Sequence, residues 1–185
     1  MSTSNSSMIP KLLSRKVIFE ESFFSIEKDE LQLEGRPPYS YFSLETPSIA
    51  VFILCVTPEG NYLLIEEYRH PTGKVLLSCP GGYINPGEDP LAGARRELME
   101  ETGYQADTLT MMGRAYPYAG FSKQQTIYVK ATGVILAGVP QLEASEIIQT
   151  RIIEPQELNH LIKQDVALDG TLCTALFFNA NNYYN

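Results

Sequence analysis

The feature that most constrains the fold is a stretch in the middle of the chain that reads as one helix with both ends marked. Asp89 followed by Pro90 is typical of a helix start, because the aspartate side chain caps free backbone amides and proline fits the first turn. Gly103 is typical of a helix end, because glycine readily adopts a left-handed conformation. The sequence therefore predicts a helix over Pro90–Glu101. The Pro-Gly-Gly run at residues 80–82 predicts a sharp turn before it.

The predicted helix carries three carboxylates, Glu97, Glu100 and Glu101, on one face. Residues three and four apart share a helix face, so these side chains repel one another and do not stabilise the helix by themselves. Hard divalent cations prefer oxygen ligands, and magnesium shares its coordination shell with substrate phosphates. The pattern therefore predicts a metal site at which a water molecule attacks a diphosphate.

The alternative interpretation is a solvated acidic helix face, which is what an isolated acidic run usually is. Other residues at fixed spacing around the helix favour the metal site, namely Gly82, Glu88, Arg96 and Gly103. Arg96 lies one turn before Glu100 and can hold that carboxylate in place behind the metal. As a surface residue, Arg96 would form only a weak helical ion pair.

Residues 82–104 resemble the Nudix box, G-x5-E-x7-R-E-U-x-E-E-x-G-U with U apolar. Every fixed position is filled, with Leu98 and Tyr104 at the apolar positions. The resemblance to the family domain extends over roughly residues 45–180. It implies an α+β Nudix fold, in which a mixed β-sheet is sandwiched between helices, and a pyrophosphohydrolase activity that depends on Mg²⁺ or Mn²⁺.

The resemblance also implies a role for each matching residue. The backbone carbonyl just before the box glycine is a metal ligand in the family, and here it belongs to Gly81. Glu97 and Glu101 match the principal metal ligands, and Glu100 matches a further ligand or base. Glu88 matches a position that braces the helix or joins the metal shell. The catalytic set implied is Arg96 with the three helix glutamates.

Glu67-Tyr68-Arg69, followed by Pro71, is similar to the Gln-Tyr-Arg-x-Pro segment of the ADP-ribose pyrophosphatase branch. The arginine of that segment contacts substrate in the branch, and a guanidinium suits phosphate. Arg69 is therefore expected to bind the substrate. The alternative is a surface ion pair with Glu66 or Glu67.

A second segment, residues 116–122, resembles the loop that follows the box in the same branch. Tyr116, Tyr118 or Phe121 can stack on an adenine ring. Of these, Tyr116 and Phe121 are expected to bind the substrate. Alternatively, these aromatic side chains belong to the hydrophobic core. Gln124 falls at a substrate-facing position where well-studied members carry a glutamate proposed as base or ligand.

Because an amide does not accept a proton at neutral pH, Gln124 leaves the catalytic base unassigned. Glu100 on the helix is the first expectation. Glu143 or Glu146 from the following loop is the alternative. These two residues are otherwise interpreted as solvated charges of a surface loop. A substrate other than ADP-ribose would also account for the change.

Residues 15–45 alternate apolar and polar side chains and predict strands at Val17–Phe19, Phe23–Leu33 and Tyr39–Glu45. In this branch an extra N-terminal antiparallel sheet crosses to a partner subunit, so the resemblance implies a homodimer. The predicted organisation is a flexible lead-in at 1–13, a β extension for dimerisation at 14–46 and a Nudix hydrolase domain at 47–185.

Further strands and helices follow from apolar periodicity and turn residues. Strands are predicted at Ile49–Thr57, Tyr62–Glu67, Lys74–Ser78, 108–114 and 125–135, and helices at 155–163 and Leu168–Phe178.

The formal net charge of −8 argues against a nucleic-acid partner, because the few basic residues are scattered along the chain. The three cysteines, Cys55, Cys79 and Cys173, have no metal-binding spacing and are interpreted as structural thiols in a reducing compartment. No apolar stretch is long enough to span a bilayer, so a cytoplasmic protein without a membrane partner is expected.

The leading functional hypothesis is an ADP-sugar diphosphatase that converts ADP-ribose or a related compound into AMP and a sugar phosphate. The alternatives are hydrolysis of another nucleoside diphosphate derivative, such as NADH, FAD or GDP-mannose, and a Nudix module that binds nucleotides without turnover. Such modules usually lack one or more box glutamates, and all are present here. A phosphatase for oxidised deoxynucleotides fits poorly, because those enzymes are typically shorter and lack the N-terminal sheet.

Overall fold

The structure, a computed structural model, describes residues 8–46, 49–164 and 166–181. It divides into two compact units. The N-terminal unit is drawn from Met1–Ser48 together with Tyr118–Gln124, and the main unit is drawn from Ile49–Pro117 and Gln125–Asn185.

The N-terminal unit is built on a three-stranded antiparallel sheet in the order β1-β2-β3. Its strands are β1 (Lys11–Glu20), β2 (Ser25–Gln32) and β3 (Tyr39–Glu45). The predicted strand pair and the predicted strand Tyr39–Glu45 are confirmed. Because β1 begins at Lys11, it includes the last three residues of the predicted lead-in. Residues 1–7 lie outside the described part of the chain.

The main unit contains a seven-stranded mixed sheet in the order β12-β5-β4-β10-β9, with β6 paired to β5 and β7 paired to β4. Among the strand pairs of this sheet within the described ranges, β4 and β10 alone run parallel. A separate two-stranded sheet pairs β8 with β11. The strands are β4 (Ile49–Val56), β5 (Tyr62–Arg69), β6 (Lys74–Ser78), β7 (Gly81–Tyr83), β8 (Tyr104–Gln105), β9 (Thr108–Ala115), β10 (Gln125–Thr132), β11 (Ile135–Leu136) and β12 (Ile148–Ile153).

The α-helices of the described residues are α1 (Pro90–Thr102), α2 (Pro155–Lys163) and α3 (Gly170–Asn181), and a short 3-10 helix lies at His70–Thr72. Successive side chains of β4 face opposite sides of the sheet. Phe52 and Leu54 pack in the cluster that contains Leu172 of α3, whereas Ile53 packs in the cluster that contains Leu98 of α1. The sheet therefore lies between helices, and the predicted α+β architecture, a mixed sheet sandwiched between helices with an N-terminal antiparallel sheet, is confirmed.

The capping signals of α1 are confirmed. Asp89 Oδ1 accepts hydrogen bonds from the backbone N–H groups of Leu91 and Ala92 at 3.0 and 3.2 Å. Gly103 ends the helix with a φ of 74°, in the left-handed region. The helix is thus fixed at both ends, which orients its carboxylate-bearing face.

The predicted sharp turn is present but lies slightly earlier than residues 80–82. Because β6 is antiparallel to β5 and β7 is antiparallel to β4, the chain reverses between Ser78 and Gly81, and Gly81–Tyr83 already form β7. Gly81 has a φ of 152°, and a Cβ at this position would lie 2.1 Å from the carbonyl oxygen of Val51. Glycine therefore allows a close backbone approach to β4 directly after the turn. The pairing of β4 with β5 covers only Cys55–Val56, so β7 and β6 occupy the space where the two strands separate.

One other difference has a local cause. The predicted strand at 125–135 ends at Thr132, because Gly133 has a φ of 65°, and Ile135–Leu136 then pair with β8. Of the three cysteines interpreted as structural thiols, Cys55 and Cys79 are buried, whereas Cys173 is exposed on α3, and all three are free. Within the described residues, no helix is long and apolar enough to cross a membrane.

Candidate active site

The carboxylate face of α1 lies against β7. Glu97 and Glu101, one turn apart, are 9% and 5% exposed, whereas Glu100 is more accessible. The backbone N–H of Gly81 donates to Glu101 Oε2 at 2.7 Å. A main-chain N–H group of β7 therefore donates a hydrogen bond to the most buried carboxylate of the helix.

Gly82, the first residue of the box, is required by packing. A Cβ on this residue would lie 2.8 Å from each of the three carboxyl atoms of Glu97. Any side chain here would displace the Glu97 carboxylate or push β7 away from α1. The absence of a side chain thus allows the strand to pass beside the acidic face.

Arg96 gathers the surrounding carboxylates. Its Nη1 donates to both Glu97 and Glu100 at 2.8 Å. Its Nε and Nη2 donate to the two carboxyl oxygens of Glu88 at 3.0 Å each, and Nη2 also reaches the carbonyl oxygen of Tyr83. The contact expected between Arg96 and Glu100 is present. Two of the three helix carboxylates therefore already meet at one positive group.

Burial dominates the electrostatics of this face. Desolvation raises the pKa of Glu101 to about 8, although the N–H of Gly81 opposes the shift. Desolvation also raises the pKa of Glu97, against the lowering effect of Arg96. The charges of Glu67 and Glu146 contribute to the raised pKa of Glu101. The site thus holds more negative charge than Arg96 neutralises.

Glu67 belongs to this acidic region, which the sequence reasoning did not foresee. It is 7% exposed on β5, and its Oε1 accepts from Arg69 Nη1 at 2.7 Å. Burial raises its pKa, with further contributions from Asp169 and Glu146 and an opposing one from Arg69. One signal in the sequence pointed to it, because Glu67 stands where the similar branch carries glutamine.

Glu146 also belongs to this region. Its charge contributes to the raised pKa values of Glu67, Glu97 and Glu101. Its Oε2 accepts from the backbone N–H of Glu143 at 2.8 Å, and its own N–H donates to the Glu143 carbonyl at 3.0 Å. The loop therefore turns tightly between the two residues and brings Glu146 into electrostatic range of the helix face.

The expected substrate-binding residues divide between the units. Arg69 and Tyr116 belong to the main unit, whereas Phe121 and Gln124 belong to the N-terminal unit. Arg69 forms the ion pair with Glu67 that was considered for it, and its side chain remains 39% exposed. Tyr116 and Phe121 are 56% and 50% exposed, so their alternative interpretation as core residues is wrong. Gln124 is buried.

The donor set fits a hard divalent cation. Within the described ranges, no three His, Cys, Asp or Glu side chains are already arranged around a common metal position. The groups available are nonetheless oxygen donors, as Mg²⁺ and Mn²⁺ prefer. Glu101 is buried beside the charges of Glu97 and Glu67, and a bound cation would offset the desolvation that raises its pKa.

A family model described as the NUDIX domain matches residues 46–172 of the chain. The protein belongs to the Nudix family. It is a Nudix pyrophosphohydrolase related at low sequence identity to ADP-ribose pyrophosphatases. The sequence resemblance on which the expectation rested is therefore confirmed for family and fold.

Relatives of this Nudix hydrolase align with most of its length. An ADP-ribose pyrophosphatase of Bacillus subtilis is 24% identical over 171 residues, 92% of each chain. A methanol dehydrogenase activator of Bacillus methanolicus is 28% identical over 153 residues, 78% of this chain and 82% of the relative. A solved structure described as an ADP compounds hydrolase has a TM-score of 0.82 and 22% identity, and the match covers 93% of this chain and 92% of that one. This structural likeness shows the fold.

Proposed function

We propose that this protein hydrolyses the diphosphate bond of a nucleoside diphosphate linked to a second group, with ADP-ribose or another ADP-sugar as substrate and AMP and a sugar phosphate as products. The observation that carries the proposal is the meeting of Glu97 and Glu100 at Arg96, next to the buried Glu101. Similarity to the Bacillus subtilis ADP-ribose pyrophosphatase across 92% of both chains supports the choice of substrate.

The metal proposed is Mg²⁺ or Mn²⁺. The ligands proposed are the carbonyl oxygen of Gly81 and the carboxylates of Glu97 and Glu101, with Glu100 and Glu88 as further ligands. When bound, such an ion supplies positive charge to the diphosphate and lowers the pKa of a coordinated water. Arg96 keeps Glu97, Glu100 and Glu88 together, so that the acidic face is organised before substrate arrives.

In the reaction proposed, a water oxygen forms a bond to one phosphorus, and the bond from that phosphorus to the bridging oxygen breaks. A carboxylate accepts the proton of the water. Gln124 does not serve, because an amide is not a base at neutral pH. The candidates are therefore Glu100, Glu143 and Glu146. Of the two loop glutamates, Glu146 is preferred, because its charge contributes to the raised pKa values of Glu97 and Glu101. Glu100 and Glu146 therefore remain as the two candidates.

The contacts of the two candidates favour Glu146. Glu100 already accepts a hydrogen bond from Arg96 at 2.8 Å, and a carboxylate bonded to a guanidinium gives up that bond when it takes a proton. Glu146 accepts from the Glu143 amide on a loop. We expect Glu146→Gln to lower kcat by about 100-fold or more, the usual range for a lost general base, and Glu143→Gln to change kcat little. Near-normal turnover in Glu146→Gln would return the role to Glu100.

Arg69, Tyr116, Phe121 and Gln124 are proposed to contact the substrate. Release of Arg69 from Glu67 would free its guanidinium for a phosphate, which it suits better than lysine does because of its planar fork of donors. The exposed rings of Tyr116 and Phe121 offer stacking surfaces for a base.

A homodimer is proposed for the assembly. All ten residues of β1 are exposed, including Leu12, Val17, Ile18 and Phe19. Exposed apolar side chains gathered on one strand are typical of an interaction surface. Light scattering of the full-length protein tests this proposal, and a monomer with normal turnover would contradict it.

The test of function is a hydrolysis assay over a panel of nucleoside diphosphate derivatives, with Mg²⁺ or Mn²⁺ and with EDTA. We expect the highest kcat/KM for an ADP-sugar and release of AMP. A preference for NADH, FAD or GDP-mannose would keep the chemistry and change the substrate. Binding of these compounds without turnover would favour a regulatory module, and full activity in EDTA would contradict the metal-dependent mechanism.

A further inference from the structure

The segment Tyr118–Gln124 belongs to a different unit from the residues on either side of it. It connects β9 to β10, two neighbouring strands of the main sheet. Its residues nevertheless group with the N-terminal unit. We call this segment the crossover loop. The crossover loop is therefore part of the N-terminal unit, although both strands that it connects belong to the main unit.

Contacts of three kinds attach the crossover loop to β3. The backbone N–H of Leu44 donates to the carbonyl oxygen of Phe121 at 2.7 Å. The phenol of Tyr41 donates to the carbonyl oxygen of Gly120 at 2.6 Å. Lys123 forms an ion pair with Glu45. The strand β3 thus contacts successive parts of the loop through a main-chain hydrogen bond, a side-chain hydrogen bond and an ion pair.

The loop is also ordered internally. The backbone N–H groups of Phe121 and Ser122 both donate to the carbonyl oxygen of Tyr118, at 2.9 and 2.8 Å. The rings of Tyr118 and Phe121 lie 5.7 Å apart between centroids. Both rings remain substantially exposed, at 38% and 50%. The contacts with β3 therefore fix the backbone of the loop while its aromatic side chains stay accessible.

From these contacts we infer that Tyr41 and Glu45 are positioning residues, through which β3 holds the crossover loop of its own chain ready to bind substrate. This rests on the proposed function, in which Phe121 and Gln124 contact the substrate. A loop already held in its binding conformation loses less conformational freedom when the ligand binds. The N-terminal sheet thereby sets substrate affinity within one subunit, in addition to any role in dimerisation.

The test compares Tyr41→Phe with Tyr39→Phe. Both tyrosines lie on β3 with similar exposure, 42% and 39%, but the hydroxyl of Tyr41 bonds to the loop. Loss of one hydrogen bond should raise KM for ADP-ribose by roughly two- to tenfold in Tyr41→Phe, with kcat within about twofold of wild type. Tyr39→Phe should match wild type in both constants.

Hydrogen exchange measured on the intact enzyme supplies a readout that does not depend on turnover. In Tyr41→Phe, amide exchange should become faster in the peptide that covers Tyr118–Gln124 and stay unchanged in the peptide that covers α1. Lys123→Met should act in the same direction. If both contacts hold one loop, the effects of Tyr41→Phe and Lys123→Met on KM should not simply multiply in the double variant.

The outcomes separate this inference from the proposed function. Absence of turnover by the wild-type enzyme on every compound would contradict the proposed function. Unchanged KM and unchanged exchange in Tyr41→Phe would overturn the positioning role. Faster loop exchange with unchanged KM would also overturn it, because the loop would then be held by β3 without affecting substrate.

Discussion

Two groups of carboxylates in this protein show opposite electrostatic behaviour. On the N-terminal sheet, Arg15 binds Asp29 through two hydrogen bonds of 2.7 and 2.8 Å, and the guanidinium holds the pKa of Asp29 below its usual range. On α1, burial raises the pKa values of Glu97 and Glu101, although Arg96 lies beside Glu97. One group is neutralised within the chain and the other is not.

The difference separates a structural use of acidic residues from a chemical one. A surface carboxylate with its own arginine needs no further partner. Buried carboxylates without enough positive charge are destabilised as anions, and a bound divalent cation removes that cost. The excess charge on α1 therefore favours a metal site more strongly than the number of acidic residues does.

The largest effect should come from removing one charge of the buried group. Glu101→Gln is expected to lower kcat/KM by about a thousandfold or more, because it removes a proposed metal ligand from the transition state. The fold should stay intact, since glutamine preserves the shape of the side chain and its oxygen can accept from Gly81. Enzyme kinetics and thermal unfolding measure the two quantities. The control is Glu59→Gln in the exposed β4–β5 hairpin, and equal activity of the two variants would remove Glu101 from the site.

A moderate effect should appear in the pH dependence of the metal-free protein. Because the pKa of Glu101 is about 8 in the folded state and ordinarily 4.5, the folded state binds the proton more tightly than the unfolded state. Its contribution to stability is therefore complete below pH 4.5 and is lost as the pH rises through about 8.

The melting temperature in EDTA should accordingly fall as the pH is raised towards 8. Each kcal/mol lost corresponds to about 2–4 °C for a chain of this size. Glu101→Gln should flatten the curve, and addition of Mn²⁺ should raise the melting temperature most at high pH. A wild-type curve that matches Glu101→Gln in EDTA would show that Glu101 does not titrate as its burial requires.

The smallest effect should come from the neutralised group. Asp29→Asn is expected to lower the free energy of unfolding by less than about 1 kcal/mol, because the pair with Arg15 lies at the surface and is screened by solvent. The lowered pKa of Asp29 gives the opposite sign to Glu101, with stability present at neutral pH and lost as the pH falls. Chemical denaturation at pH 7 and in acid checks both statements. A loss as large at low pH as at pH 7 would contradict this assignment.

The sequence predicted the features that depend on residues close to one another along the chain. The ends of α1 follow from Asp89 and Gly103, and the alternation of β3 follows from Tyr39–Glu45. It did not predict β7, because the extended path of Gly81 depends on the carbonyl oxygen of Val51 some thirty residues earlier. Nor did it predict β12, because β12 pairs with β5, a strand that precedes the box motif in the sequence while β12 follows it.

The candidate site divides in the same way. The box motif predicts that the three helix glutamates share a face with Arg96 nearby, because their spacing alone brings them together. The inclusion of Glu67 depends on how β5 packs, and the sequence marks this residue only by a glutamate where the similar branch carries glutamine. The choice between Glu143 and Glu146 depends on a tight turn in an irregular loop, and either residue satisfies the sequence equally well.

The division of the N-terminal unit into two chain segments has a consequence for biosynthesis. Its sheet is synthesised first, but the crossover loop that contacts β3 follows only after Ile49–Pro117 has been translated. Domains generally fold as they emerge from the ribosome, and contacts between distant segments form slowly. Strand β3 therefore lacks its contacts with Tyr118–Gln124 until that segment has been translated, and formation of these contacts marks the stage at which this early sheet acquires its final form.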